Sequence, residues 1–230
     1  MIPIRDDQPR YSTPYLTYFL IGLNLLIYFF EFLLDPASFE ALLYQFGMVP
    51  AHVTNLLTGS HNVNLVALGL PFFTSMFLHG SWGHVIGNMW FLWIFGDNIE
   101  DHLGHFKYIM FYVMCGLAAA VTQFLLTPHL RAPTVGASGA IAGVLGAYFV
   151  LYPRAKVLTW FFVVVFYVPA WAMLGYWFVV QFLSGTASAT YARQGGGGIA
   201  FWAHVGGFIA GVVLIKIFPE RVQRRRYATW

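Results

Sequence analysis

Long apolar runs alternate with short polar or Gly/Pro-rich breaks along the whole chain. A helix needs about 20 apolar residues to cross a hydrocarbon layer roughly 30 Å thick. Six runs approach that length. The first predicted span covers residues 14–34, with Pro14 tolerated because the first helical turn has N–H groups without acceptors anyway. The second covers 72–95 and closes at Gly96-Asp97-Asn98, and the third covers 106–126 and stops before Pro128. The fourth covers 135–152, ahead of Pro153. The fifth covers 157–183, where Pro169 is expected to kink the helix by removing a backbone donor. The sixth covers 199–218. Residues 35–71 are mixed in character, hold no Lys or Arg, and read as short helices lying at the membrane interface.

Composition turns this pattern into a class. The chain is 59% hydrophobic and 9% charged. Soluble domains carry about 25% charged residues, so a compact soluble globule is excluded and an all-α polytopic membrane protein is expected. Its parts read as a cytoplasmic segment 1–13, a six-helix membrane domain 14–218 and a basic tail 219–230. The polar start, with Asp6 and Asp7, has neither the basic, apolar and small-residue order of a signal peptide nor the Arg/Ser-rich character of a transit peptide. The first run therefore reads as a retained span, and a bacterial cytoplasmic (inner) membrane is the expected location. The single cysteine, Cys115, falls inside the third span and cannot form an internal disulfide.

Charge supplies the orientation. With six spans both termini share a side, which also carries Arg5, Arg10, Lys107, Arg154, Lys156, Lys216 and the tail arginines 221 and 224–226. The opposite side holds Arg131 and Arg193. The positive-inside rule places both termini in the cytoplasm. The arginine tail reads as a topology anchor at anionic lipid rather than a nucleic-acid site.

Candidate chemistry then falls at one depth. Ser138, in Gly136-Ala137-Ser138-Gly139, opens the fourth span; His204, in Ala203-His204-Val205-Gly206-Gly207, lies about one turn into the sixth; His84 and Asn88 lie in the outer half of the second. All three spans begin on the outer side. Polar groups within spans are costly and usually mark function or buried pairing. Gly139, Gly143 and Gly146 form a smooth stripe beside the serine, and Gly207 and Gly211 a small-residue pair on the His204 face. Smooth helices approach closely, which would bring the imidazole to the hydroxyl. A serine nucleophile, a histidine base and donors for an oxyanion are the needs of acyl transfer. His84 and Asn88, four residues apart on one helix face, could supply such donors with the Ser138 N–H. His79, five residues before His84 and roughly 140° round a helix, reads as structural, bonding the loop before the second span. Asp97, Glu100 and Asp101 sit at the opposite end, too far to complete a triad; Glu100 reads as a cap or tie between helices. No His-Glu-x-x-His occurs, and no metal or organic cofactor is expected.

Taken in order, His79-x4-His84-x3-Asn88, Glu100, Gly136-Ala137-Ser138-Gly139 and Ala203-His204-x2-Gly207-x3-Gly211 resemble the motifs of the rhomboid family of intramembrane serine proteases. The resemblance implies a six-helix core, Ser138 as nucleophile, His204 as general base, and His84, Asn88 and the Ser138 amide around the oxyanion. It also implies cleavage of the transmembrane helices of other membrane proteins near the outer face, within the lipid bilayer. The fifth span and the linker 184–198 would act as gate and cap. The chain departs from the family at Ala142, where many members carry Tyr or Phe packed on the histidine, and it lacks the Trp-Arg pair of the first long loop. With no acid beside the dyad, some other group must orient His204. A rhomboid-like chaperone that binds client helices without cutting them is the alternative reading; a transporter or channel would need more ionisable residues near the midplane.

Overall fold

In the computed structural model, residues 2–59, 64–192 and 200–221 are described, and of residues 188–192 only the backbone. The tail arginines 224–226, Arg193 and the glycine run 195–198 lie outside them. The chain is mostly helical. The expected first span is α1 (Tyr15–Phe32), and the segment after it forms three short helices, α2 (Pro36–Phe46), α3 (Pro50–Gly59) and α4 (Leu65–Thr74). Asp35 starts α2 by accepting the Ala37 and Ser38 N–H groups at 3.1 and 3.2 Å, with Pro36 in the first turn. Then follow α5 (Trp82–Leu103), α6 (His105–Leu126), α7 (Ser138–Leu151), α8 (Ala170–Ala192) and α9 (Phe201–Ile217). Among the described residues α1 and α6 are long and apolar enough to cross a membrane; α4, α7 and α9 are shorter apolar helices.

Two expectations are corrected. The chain is not all-α: β1 (Ile2–Arg5), β2 (Lys156–Phe161) and β3 (Val164–Pro169) form an antiparallel sheet with β2 in the middle. Residues 157–169, expected as the first half of the fifth span, are its hairpin. Their β-branched and aromatic residues suit a pleated strand as well as a span. A two-residue connection with Phe162 at a left-handed φ of 55° turns the chain. Pro169 does not kink a helix; it ends a strand, where its missing N–H is tolerated, and α8 starts after it. The second expected span is also displaced. Residues 72–74 finish α4, and α5 begins where the Ser81 side chain accepts the His84 N–H. It runs past Gly96-Asp97-Asn98 to Gly104, whose φ of 76° ends it.

That helix passes through its acidic residues because they are bonded. The start of α1 has no side-chain cap of its own, and its first N–H groups need acceptors. The buried Glu100 carboxylate on α5 supplies them: Leu16 N–H at 2.9 Å, Thr17 N–H at 2.7 Å and the Thr17 hydroxyl at 2.7 Å, with His105 Nδ1 at 2.6 Å. Asp101 accepts the Tyr11 N–H and the Ser12 hydroxyl. Replacing Glu100 by alanine strands these buried donors and is expected to lower stability by on the order of 3–5 kcal/mol, measured as denaturant unfolding in mixed micelles. The N-terminal segment is a strap of the same kind: Trp90 Nε1 donates to the Pro3 carbonyl, Lys156 N–H to Asp7, and the Tyr148 hydroxyl to Asp6. Burial pushes the Asp6 carboxyl above its usual range, against the downward pull of that Tyr148 hydrogen bond.

At the centre stands α7. Every residue from Gly139 to Tyr148 is buried, as a helix apolar all round must be, and α5, α6, α8 and α9 surround it. Tyr148, Phe95, Tyr108, Phe111 and Leu145 fill the core. α7 and α9 meet backbone to backbone: a Cβ built on Gly207 would lie 2.0 Å from the Gly139 carbonyl oxygen, and one on Gly211 1.9 Å from that of Gly143. Exposed aromatics and aliphatics, from Phe19 and Phe30 on α1 to Ile209 and Val213 on α9, cover the outside of this bundle.

Candidate active site

Ser138 is the first residue of α7. The chain reaches it through a turn at Gly136, whose N–H donates to the Ser75 carbonyl at 2.8 Å and whose φ is 120°. A side chain there would be strained and would meet His84 Nε2 at 2.7 Å and Asn88 Nδ2 at 3.4 Å. Glycine at 136 therefore lets the backbone before the serine lie against both α5 side chains. The Ser138 N–H belongs to the first helical turn, where helices have no acceptor of their own.

His204 sits in the first turn of α9. Its Nε2 lies 2.7 Å from Ser138 Oγ, and both side chains are half-buried. The other ring nitrogen, Nδ1, lies 2.8 Å from Gln181 Oε1 on α8. The Trp177 ring lies over the imidazole, centroids 5.8 Å apart and planes inclined by 36°. A cavity of about 240 Å³ opens between α5 and α8, lined by His84, Asn88, Ser138, Trp177, Gln181 and His204 among others, with Ala142 and Leu145 along its α7 wall. The sheet packs on the same two helices, through Trp90 to Pro3 and Thr159 to Met173.

His79 is not on the α5 helix but in the loop before it, fully buried. Its Nδ1 lies 3.3 Å from the Phe77 carbonyl oxygen and its Nε2 lies 3.0 Å from Asn88 Nδ2. With Nδ1 donating to the carbonyl, Nε2 is an acceptor and takes one Asn88 amide hydrogen, and Asn88 also lines the cavity. The His79 N–H in turn donates to Glu31 on α1 at 3.1 Å, and its ring packs edge-on against His84, centroids 5.1 Å apart.

Ser138, His204, His84 and Asn88 thus come together at one cavity, and Gly136, Gly139, Gly207 and Gly211 lie at the close approaches that bring them there. Glu100 does not; it lies at the far end of α5. Gln181 and Trp177 were not singled out by sequence reasoning. Gln181 did leave a signal, as an amide inside the otherwise apolar run 170–183. Among the described residues no cluster of three or more His, Cys, Asp or Glu side chains could hold a metal ion.

A mostly helical bundle with an apolar exterior and a Ser–His contact between two of its helices defines a class of integral membrane protein. Comparison with known proteins specifies it. The Rhomboid domain model matches residues 69–221, and the chain belongs to the rhomboid family. It is 32% identical over 157 residues to the mitochondrial Rhomboid protein 1 of Saccharomyces cerevisiae, covering 66% of this chain and 42% of that protein. It is 32% identical to the chloroplastic Rhomboid-like protein 11 of Arabidopsis thaliana, covering 65% and 52%. It is 28% identical over 134 residues to the Rhomboid protease GluP of Bacillus subtilis, covering 58% and 24%. The chain spans about half or less of the length of these relatives.

Proposed function

We propose that this protein is an intramembrane serine endopeptidase that cleaves transmembrane helices of other membrane proteins through a Ser138–His204 dyad. The observation that carries the reading is the 2.7 Å separation of His204 Nε2 and Ser138 Oγ. A lone pair on Nε2 accepts the hydroxyl proton as Oγ attacks the scissile carbonyl carbon. The negative charge that collects on the carbonyl oxygen meets three donors: the Ser138 N–H, the free Asn88 amide hydrogen and His84 Nε2–H. On collapse the C–N bond breaks and the His204 imidazolium gives its proton to the leaving amine. An acyl group remains on Oγ until water, deprotonated by the same nitrogen, releases it. A bulky side chain at the cut would crowd the cavity, so small residues are preferred there.

The setting supports membrane substrates. Six helices, α1, α5, α6, α7, α8 and α9, cross the bilayer in this reading, forming a membrane domain over 14–218 with both termini cytoplasmic. At 14 residues α7 is about 21 Å long, shorter than the roughly 30 Å hydrocarbon layer. In this reading its start, carrying Ser138, lies below the outer surface, and the cavity between α5 and α8 receives the substrate helix. The organellar names of two relatives weigh against the bacterial cytoplasmic membrane expected from the sequence; integral membrane character is what stands.

Asn88→Ala is expected to lower kcat about 100- to 1,000-fold, with KM within about twofold, because its hydrogen bond is made to the transition state. The decisive test is co-reconstitution with a panel of single-span proteins: cleavage by wild type and none by Ser138→Ala supports the proposal. Equal processing by both overturns it. Client binding without cleavage by either would instead favour the chaperone reading, which does not require the paired serine and histidine.

A further inference from the structure

We infer that Gln181 is a positioning residue that completes a Ser138–His204–Gln181 triad, with α8 supplying the group that orients the base. The inference rests on the protease reading for its catalytic meaning, but its structural content stands separately. A histidine can serve as base toward Ser138 only if its proton sits on the far nitrogen. At 2.8 Å, Gln181 Oε1 accepts that Nδ1–H and leaves the Nε2 lone pair facing Ser138 Oγ at 2.7 Å. Trp177, one turn before Gln181 on the same face of α8, covers the ring plane. Trp177 and Ala142, one turn after Ser138, line the same cavity.

The choice of an amide follows from the surroundings. A carboxylate at 181 would orient the ring equally well but would place a charge among Phe91, Ile141, Leu145 and Trp177, where an unpaired charge is costly. The glutamine carbonyl fixes the tautomer with no net charge. The base and its orienting group also come from different helices, α9 and α8. The tautomer is therefore held only while α8 is seated against α9.

The test compares wild type, Gln181→Ala, Gln181→Met and Gln181→Glu as full chains labelled with 15N-histidine in micelles. In the wild type His204 is expected as the Nδ1–H tautomer, with a downfield hydrogen-bonded proton. Alanine and the near-isosteric methionine variants lose that proton signal and show mixed tautomers, while glutamate, which keeps the acceptor, retains it. In cleavage assays the Ala and Met variants show kcat lowered by about 10- to 100-fold with KM within twofold, and Glu restores at least half of the loss on a logarithmic scale. A purely structural role for Gln181 would leave the tautomer unchanged in the methionine variant, and that result overturns the inference. If the wild type cleaves nothing, the protease reading fails, and the nitrogen signals still decide whether Gln181 orients His204.

Discussion

Ser138→Ala and His204→Ala each lower the cleavage rate by at least about 10⁴-fold, and the double variant is no slower than either single one. The equality follows from the geometry. Ser138 Oγ becomes a nucleophile only as its proton leaves for His204 Nε2, 2.7 Å away; without the acceptor the hydroxyl is an ordinary alcohol, and without the hydroxyl the imidazole has nothing to activate. Groups that act as one unit show such non-additive losses. The residual rate reflects binding and the oxyanion donors, which neither substitution touches directly. The assay is single-turnover cleavage of a reconstituted single-span substrate, with unfolding profiles confirming that both variants remain folded. Losses that multiply in the double variant would mean that the two residues act independently, and the dyad would be rejected.

Gly211→Ala, a change of one methyl, is the second large effect. In an exposed helix this substitution would stabilise by up to about 1 kcal/mol. Here the added carbon would lie 1.9 Å from the Gly143 carbonyl oxygen, 2.6 Å from its carbon and 2.7 Å from its Cα. All three are backbone atoms, so no rotamer change relieves the contact, and α9 must move away from α7 by an ångström or more. Overpacking of this kind costs about 1–3 kcal/mol and occasionally more. His204 lies two turns earlier on the same face of α9, so the shift stretches its contact with Ser138. A misplacement of about 1 Å at a reacting centre is worth about 100-fold in rate. The control is Gly22→Ala on α1, where nothing lies within 4 Å of the new methyl; it is expected to unfold no earlier than the wild type and to cleave at the same rate. Equal stability and activity for the two alanine variants would show that contact between α7 and α9 does not hold the site together.

The parts of the fold that were legible share one property: their signal is local. Residues 14–34, 106–126, 135–152 and 199–218 read as helices because apolar runs end at Pro128, Pro153 or polar turns; α1, α7 and α9 fall inside them, and α6 starts one residue earlier. The glycines at 139, 143, 207 and 211 indicated a close helix contact because only glycine leaves a helix surface bare. The hairpin was misread because Val157, Val163, Val164, Val165 and their aromatic neighbours satisfy a lipid-facing helix and a strand alike. What decides between them is β1, more than 150 residues earlier in the chain, which supplies the edge on which β2 pairs. The passage of α5 through Asp97, Glu100 and Asp101 was hidden for a similar reason. A buried carboxylate is tolerable only with its donors, and those of Glu100 lie on α1, 83 and 84 residues away.

The amino-acid sequence by itself determined that this is a helical membrane protein and which serine and histidine are candidates for one site, since hydropathy and the spacing of small and polar residues are properties of the chain read in order. Only the tertiary structure decided that His204 has Gln181 behind it and Trp177 over it, that His79 holds Asn88, and that a sheet packs against the cavity's two walls. Those are pairings between separate elements, and a hydrogen bond specifies its partner by distance and direction in space, which no spacing along the chain encodes.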